Sequence, residues 1–175
     1  DEKSDVTLSY DQYKADYFYT DSNRKQNLKK YGTADNYTGK LIYNYQLSPT
    51  ASNKLSVSSS EYDTVYNKYA TNIKTTGVQE QFTRKIGDSH TVTAGFDFEE
   101  DEVLSLKGVK LSSRAYYVQD EWDFTKQWKL TSGLRYDDHS SFGSHLTPQV
   151  NLGYKQNDKT NYYISYSKFF VAPTP

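Results

Sequence analysis

The chain has 175 residues, 21 of them basic, 22 acidic and none cysteine, and its net charge is −1. This length suits one ordinary domain, the balanced charge excludes a large field that would recruit nucleic acid, and the lack of cysteine excludes disulfides and thiolate chemistry. The hydrophobic fraction is only 35%, which is too low for a large buried core, whereas the aromatic fraction of 16% argues against disorder.

A transmembrane helix is excluded, because no run of about 18 apolar residues occurs. A transmembrane β-barrel is not excluded, since its strands carry a weaker signal. The sequence has neither an initiating Met nor a signal-peptide pattern. We therefore expect it to be a mature portion or an excised fragment of a longer protein.

A two-residue alternation of apolar and polar residues recurs along the whole chain. The first strand is the least regular: the rhythm holds to Tyr10, and then Gln12, Lys14 and Asp16 continue the same row. This pattern indicates either a bulge or a strand that projects past a membrane into water. In all, the alternation predicts about nine strands, at 5–20, 36–48, 54–66, 76–86, 91–101, 114–124, 128–138, 147–155 and 160–170.

The predicted strands carry an apolar row opposite a polar row. In the strand 128–138, Leu130 and Leu134 alternate with Lys129, Thr131 and Arg135. Successive side chains of a strand point to opposite faces, so one sheet meets an apolar medium on one side and water on the other. In a barrel these media are lipid outside and a hydrated lumen inside.

The connections between these strands alternate in length. Long polar segments at 21–35, 67–75, 104–113 and 139–146 alternate with short ones at 49–53, 87–89, 125–127 and 156–159. Outer-membrane barrels combine short periplasmic turns with longer extracellular loops, whereas sandwiches mix loop lengths at both ends. The sequence therefore predicts an all-β fold, an antiparallel up-and-down meander of about nine strands that is part of a transmembrane β-barrel.

Two sets of side chains follow from this topology. Aromatic residues beside short turns are expected to form a girdle at the membrane surface, although aromatics also simply favour strands; the girdle set is Trp122, Phe124, Trp128 and Tyr154. Polar residues of the opposite rows are expected to face the lumen, where they could be merely solvated; this set is Asp97, Glu99, Gln119, Glu121, Lys129 and Arg135.

The candidates for metal or catalytic chemistry are weak. His139 and His145 could ligate a metal or haem, but without a third ligand nearby we expect them to be solvated loop residues. The acidic run "DFEEDE" at 97–102 could bind calcium, yet it lacks the glycine spacing of an EF-hand loop, and we expect a row facing the lumen. No "GxSxG" motif occurs. We expect no catalytic residue, no metal and no cofactor.

Five motifs follow one another between Ala115 and Pro175: "VQDEW", "SGLRYDD", "LTPQVNLGYK", "QNDKT" and "FFVAPTP". In this order they resemble the barrel of TonB-dependent outer-membrane receptors, which take up siderophores, haem or cobalamin. Each motif alone is a weak signal, but the ordered series is a strong one. The sequence departs from the family pattern at Val171, where Arg is usual.

The resemblance implies that residues 1–175 form one partial barrel, a segment of a barrel of about 22 strands, in the bacterial outer membrane. The implied partners are outer-membrane lipid, the remainder of the barrel, a plug domain that this chain lacks, and the TonB complex acting through that plug. The residues of the lumen set would then contact the plug or line the transport path. No nucleic-acid partner is expected.

The resemblance also implies a ligand surface at the end with the long loops, suited to a ferric siderophore, haem or a cobalamin-type ligand. The predicted topology places aromatic and histidine residues there: Tyr66, Tyr69, His139, Phe142, His145, Phe169 and Phe170.

Two alternatives remain from the sequence. One is a small closed outer-membrane barrel of about eight to ten strands with a structural or adhesive role, which would pair the strand 160–170 with the strand 5–20. The other is a soluble, tyrosine-rich β-sheet protein that binds a ligand or partner.

Overall fold

The computed structural model describes residues 3–19, 29–66, 69–106 and 109–172. Nine strands account for most of them, and a short 3-10 helix, Leu104–Leu106, follows the fifth strand. The strands are β1 (Ser4–Tyr19), β2 (Lys29–Ser48), β3 (Ala51–Tyr66), β4 (Tyr69–Ile86), β5 (His90–Val103), β6 (Val109–Asp123), β7 (Trp128–His139), β8 (Gly143–Asn157) and β9 (Thr160–Ser167).

The nine strands form one sheet in the order of the sequence, and each pairs antiparallel with the next. The predicted all-β meander is therefore confirmed. Strands β1 and β9 are the two edges of the sheet. The pairing of the last strand with the first, which a small closed barrel would require, does not occur in the described part of the chain.

Several strands are longer than expected at one end of the sheet. Strand β4 begins at Tyr69 instead of 76, and β8 begins at Gly143 instead of 147. Much of the segments expected to be long loops is therefore paired strand. Apolar alternation is lost there because both faces are polar, but backbone pairing continues, as between Thr75 and Asp101. We call the ends of the strands on this side the loop end of the sheet. We call the opposite ends, which are joined by the turns at 49–50, 87–89, 124–127 and 158–159, the turn end.

The first strand shows the same extension. Its pairing with β2 is regular from Ser4 to Tyr17, and the register shifts only between Tyr17 and Phe18. A bulge therefore does not explain the polar row of Gln12 and Lys14. Of the two expected explanations, the structure agrees with a strand that continues past its apolar part.

The register separates two faces along the whole sheet, because directly paired residues lie on the same side. We name them the apolar face and the polar face. One row of the apolar face joins Phe82, Ala94, Val118, Leu134 and Pro148 across β4 to β8. The next row, on the polar face, joins Gln81, Gly95, Tyr117, Arg135 and Thr147.

In the part of the chain that the structure describes, no second layer covers the apolar face. The buried hydrophobic residues of the described segments are four small ones: Ala34, Ala51, Val103 and Ala115. Large apolar side chains are exposed instead, such as Leu8 at 73% and Ile164 at 72%. Such a contiguous apolar surface needs an apolar medium or a partner to cover it. No helix of the described segments is long and apolar enough to cross a membrane.

Candidate functional site

The polar face is concave. Residues of seven consecutive strands, β3 to β9, line a single hollow of about 770 Å³, and Phe169 and Phe170 after β9 close one side of it. A flat sheet could not bring side chains of β3 and β9 around one space. The curvature has the sense that a barrel wall requires, with the polar side chains inside.

Arg135 is one of the residues that line this hollow. Its Nη1 donates to Asp97 Oδ2 at 2.6 Å, and its Nε donates to Asp137 Oδ1 at 2.8 Å. Its guanidinium also lies 5.8 Å from the centre of the Tyr117 ring, the residue directly paired with it on β6. The charge-assisted bond to Asp97 links β7 to β5 across β6.

A second polar network lies closer to the turn end. Gln149 donates to Gln119 at 2.7 Å, across β7. Lys129 donates to Glu121 at 3.1 Å and lies 3.7 Å from Asp123. These side chains are half exposed. The hollow therefore presents amides and balanced charges to water instead of a field of one sign.

Glu99 lies apart from these networks. It lines a smaller hollow of about 180 Å³ near the loop end, together with Asp101, His139 and Phe170. Thr75 donates to Asp101 at 2.5 Å. The register places Glu99 on the polar face with the other residues of the lumen set.

The acidic run 97–102 does not form one row facing the lumen. Asp97, Glu99 and Asp101 lie on the polar face, whereas Glu100 and Glu102 face the other way, beyond the apolar rows. Lys110 on β6 donates to Glu100 at 2.8 Å and lies 3.7 Å from Glu102. Its hydrogen bond and attraction to Glu100, and then its attraction to Glu102, raise the pKa of the Lys110 ammonium.

Four of the expected ligand residues lie together at the loop end, and we name them the loop-end cluster: His139, Phe142, His145 and Phe170. The ring centres of His139 and Phe142 are 4.8 Å apart, and Phe170 stacks on His145 at 3.9 Å. Within the tight β7–β8 connection the Ser141 amide donates to His139 Nδ1 at 3.1 Å. A positive φ of 71° at Gly143 closes this turn at little steric cost.

The expectation that His139 and His145 are loop residues is wrong, and for His139 the expectation that it is solvated is wrong as well. Both lie in strands, and His139 is only 9% exposed. The polar segment 139–146 was expected to be a loop, but most of it pairs as strand, which brings both rings into aromatic contacts. No group of three or more histidine or carboxylate side chains in the described segments is arranged to hold a metal ion.

The other three expected ligand residues make no ring contact with the loop-end cluster in the described segments. Tyr66 and Tyr69 pair with each other at the loop end of β3 and β4, and two strands separate them from β7. Phe169 is 79% exposed. The loop end therefore carries a compact cluster on β7, β8 and the segment after β9, and a separate tyrosine pair.

Aromatic rings form a continuous row on the turn end of the apolar face, and we name it the aromatic belt. The ring centres of Trp122 and Phe124 are 5.2 Å apart, those of Phe124 and Trp128 6.3 Å, and those of Trp128 and Tyr154 4.6 Å. These are the four residues of the expected girdle. The belt also includes His90, stacked on Trp122, and Tyr162, stacked on Tyr154.

The sequence prediction missed several residues of these groups. Tyr117, Asp137 and Gln149 line the main hollow. Strand alternation could have found them, because Tyr117 and Asp137 lie two residues from members of the lumen set and Gln149 alternates with Val150. His90 was missed because its strand was expected to begin at 91. His90 nevertheless lies two residues before Val92, so alternation would have placed both side chains on the same face of the strand.

A model of the β-barrel domain of TonB-dependent receptor-like proteins matches residues 2–175 of this chain. The chain thus belongs to the TonB-dependent receptor β-barrel family, whose members are β-barrel proteins of the bacterial outer membrane. The expected family and the expected outer-membrane localisation are confirmed.

Curated relatives in this family are named as transporters and receptors. The vitamin B12 transporter BtuB of Vibrio cholerae is 26% identical over 113 residues, which are 62% of this chain and 18% of the relative. The ferric enterobactin receptor PirA of Pseudomonas aeruginosa is 34% identical over 64 residues, 37% of this chain and 9% of the relative. The matched segments therefore cover less than a fifth of either relative.

Solved structures show the same fold. The ferric enterobactin receptor PfeA of Pseudomonas aeruginosa covers 99% of this chain with a TM-score of 0.83 and 12% identity, and this chain covers 32% of it. The siderophore receptor PirA of the same organism covers 95% with a TM-score of 0.69 and 16% identity, and this chain covers 34% of it. The nine strands thus correspond to about a third of such a receptor.

Proposed function

We propose that this chain is the wall segment of a TonB-dependent receptor that imports a ferric siderophore, haem or a cobalamin-type nutrient across the outer membrane. The observation that carries this proposal is the match to the receptor barrel over residues 2–175 in a sheet whose two faces suit lipid and water. We call the longer protein that contains the segment the intact receptor.

The polar face supports the transport part of the proposal. Arg135, Asp97 and Asp137 form a compact charged group in the main hollow, and Gln119 and Gln149 add amide groups beside it. Such side chains can exchange hydrogen bonds with a plug domain or with a solute that passes it. We propose that the lumen set contacts the plug of the intact receptor, through which TonB acts.

The loop-end cluster supports the recognition part. His145 and Phe170 present a stacked pair, and the pair of His139 and Phe142 lies on the same hairpin. Rigid aromatic rings offer a large contact area at a low cost in side-chain entropy. We propose that this cluster contacts the nutrient first, while Tyr66, Tyr69 and Phe169 widen the surface.

The aromatic belt supports the orientation in the membrane. Tryptophan and tyrosine prefer the level of the lipid headgroups, and the belt lies beside the short turns that face the periplasm in such barrels. We propose that Trp122, Phe124, Trp128 and Tyr154 mark the periplasmic surface. The proposed role is transport without a catalytic step.

Uptake by whole cells tests the proposal. Cells that lack their own receptors and express the intact receptor would be given labelled ferric enterobactin, haem or cyanocobalamin, with and without a functional TonB. We expect accumulation of one of these ligands only when TonB is present, and slower accumulation after Phe170→Ala with His145→Ala. Accumulation of none of them, or equal accumulation without TonB, would contradict the proposal.

A further inference from the structure

Three ionisable side chains interrupt the apolar face beside the aromatic belt: Arg84 on β4, His90 on β5 and Asp120 on β6. Arg84 and Asp120 share one row through Val92, and His90 pairs with Trp122 in the next row towards the turns. A charged residue on the lipid face of a barrel is costly at the midplane of the membrane, and the cost falls steeply towards the surface. Their place beside the belt therefore puts them at headgroup level, given the proposed orientation in the membrane.

His90 is held in one orientation. Its Nδ1 lies 2.8 Å from Asp120 Oδ2, and its ring stacks on the Trp122 indole with centres 5.4 Å apart and an interplanar angle of 10°. The nitrogen that these contacts leave free is Nε2. Since 37% of the side chain is exposed, this nitrogen is available to a ligand on the apolar face.

The Asp120 carboxylate does not present its free oxygen to such a ligand. Oδ1 is buried and has no hydrogen-bond partner in the described segments, while Oδ2 is taken by His90. The carboxylate therefore positions the imidazole through Oδ2, and its other oxygen is not turned towards the ligand.

Arg84 can reach the same ligand as His90. The two residues are diagonal neighbours across β4 and β5, because Arg84 pairs with Val92 and Ile86 pairs with His90. Diagonal neighbours on one face lie about 7–8 Å apart, within reach of long side chains. Arg84 is exposed, and within the described segments its guanidinium forms no ion pair.

We propose that Arg84 and His90 bind the phosphate of a glycerophospholipid at the aromatic belt, with Asp120 as the positioning residue for His90. A guanidinium fork matches the oxygens of a phosphodiester, and so does the Nε2–H of a doubly protonated imidazole whose Nδ1–H is donated to Asp120. Phe82 and Val118, in the next row of the apolar face away from the turns, give the acyl chains an apolar wall. This inference rests on the proposed orientation of the apolar face against lipid and goes beyond nutrient uptake.

Native mass spectrometry of the intact receptor tests the inference, with phosphatidylethanolamine titrated into detergent micelles. We expect one tightly retained lipid, with an affinity about tenfold weaker in Arg84→Gln and in His90→Phe. Phe keeps a ring for stacking on Trp122, so His90→Phe separates ligand binding from folding. Lys85→Gln is the matched control, because Lys85 is the next residue but faces the lumen side, and its lipid affinity should be unchanged.

The positioning role of Asp120 has its own readout. Asp120→Asn keeps an amide oxygen that can accept from His90 Nδ1, so it should retain most of the lipid affinity that Asp120→Ala loses.

Three results would each overturn the inference. The wild type and Arg84→Gln could bind the lipid equally well, Lys85→Gln could lose as much affinity as Arg84→Gln, or inorganic phosphate could bind as tightly as the lipid. Nutrient uptake by these variants should equal that of the wild type, so a failed lipid site and a failed transport proposal give different results.

Discussion

At the scale of single residues, Arg135 organises the polar face. It bonds Asp137 on its own strand and Asp97 two strands away, and these side chains are 39%, 18% and 24% exposed. Alternation in the sequence was enough to place Arg135 and Asp97 on the same, polar face of the sheet. It could not identify their pairing, because the partner depends on register and on the diagonal reach of the arginine.

Replacing this arginine should weaken the fold measurably. Arg135→Gln removes both charge-assisted bonds and leaves two carboxylates close together, so we expect a loss of about 1–3 kcal/mol in the free energy of unfolding. Urea-induced unfolding of the intact receptor in micelles would measure it. Lys129→Gln is the comparison, and we expect it to cost only about 0–1 kcal/mol because its ion pairs are more exposed. Equal losses in the two variants would contradict this assignment.

A glycine under an aromatic ring gives a second prediction at this scale. A Cβ added at Gly95 would overlap the ring of Tyr117 and approach the carbonyl oxygen of Glu80 to 2.6 Å. Gly95→Ala should therefore displace the ring from Arg135 and cost about 1–3 kcal/mol. Gly153→Ala is the control, because the nearest atom there is 3.8 Å away. Equal midpoints of thermal unfolding in Gly95→Ala and Gly153→Ala would contradict the close packing of Tyr117 on Gly95.

At the scale of elements, the strands exceed what a bilayer requires. A transmembrane strand needs about 9–11 residues, whereas β2 has 20 and β4 has 18. The excess lies at the loop end, where both faces are polar. The sequence reveals a strand only while its two faces meet different media, so the extensions were expected to be loops. Their pairing comes from backbone hydrogen bonds, which leave no pattern in the side chains.

Cysteine labelling of β6 should locate this change of medium. The chain has no cysteine of its own, so single substitutions from 109 to 122 can be made in a cysteine-free receptor and treated with a water-soluble maleimide. We expect alternation between 115 and 122, with Gln119→Cys reactive and Val118→Cys protected, and reaction at every position from 109 to 113. Alternation that continued to Val109 would show that lipid covers the whole strand.

At the scale of the whole molecule, the sheet has two free edges. Strands β1 and β9 have 16 and 8 residues, and each is paired on one side only in the described segments. Each unpaired N–H or C=O in hydrocarbon costs several kcal/mol. The sheet therefore needs further strands at both edges before it can stand as a wall in the membrane.

The isolated chain should behave accordingly. Expressed alone and refolded in detergent, residues 1–175 should form oligomers or aggregates through these edges, which size-exclusion chromatography with light scattering would measure. The intact receptor under the same conditions should be monomeric. A stable, lipid-inserted monomer of the isolated chain would show that the edges are satisfied in some other way.

The unbroken neighbour-to-neighbour pairing of the meander has a consequence for how such a wall can change in size. Each hairpin is a module that enters and leaves on the same side, so losing or duplicating two successive strands preserves the direction of every strand that follows. Removing β3 and β4 together would bring β2 beside β5 with antiparallel polarity intact. Removing one strand alone would invert everything downstream, and natural variation in such walls should therefore proceed in steps of two.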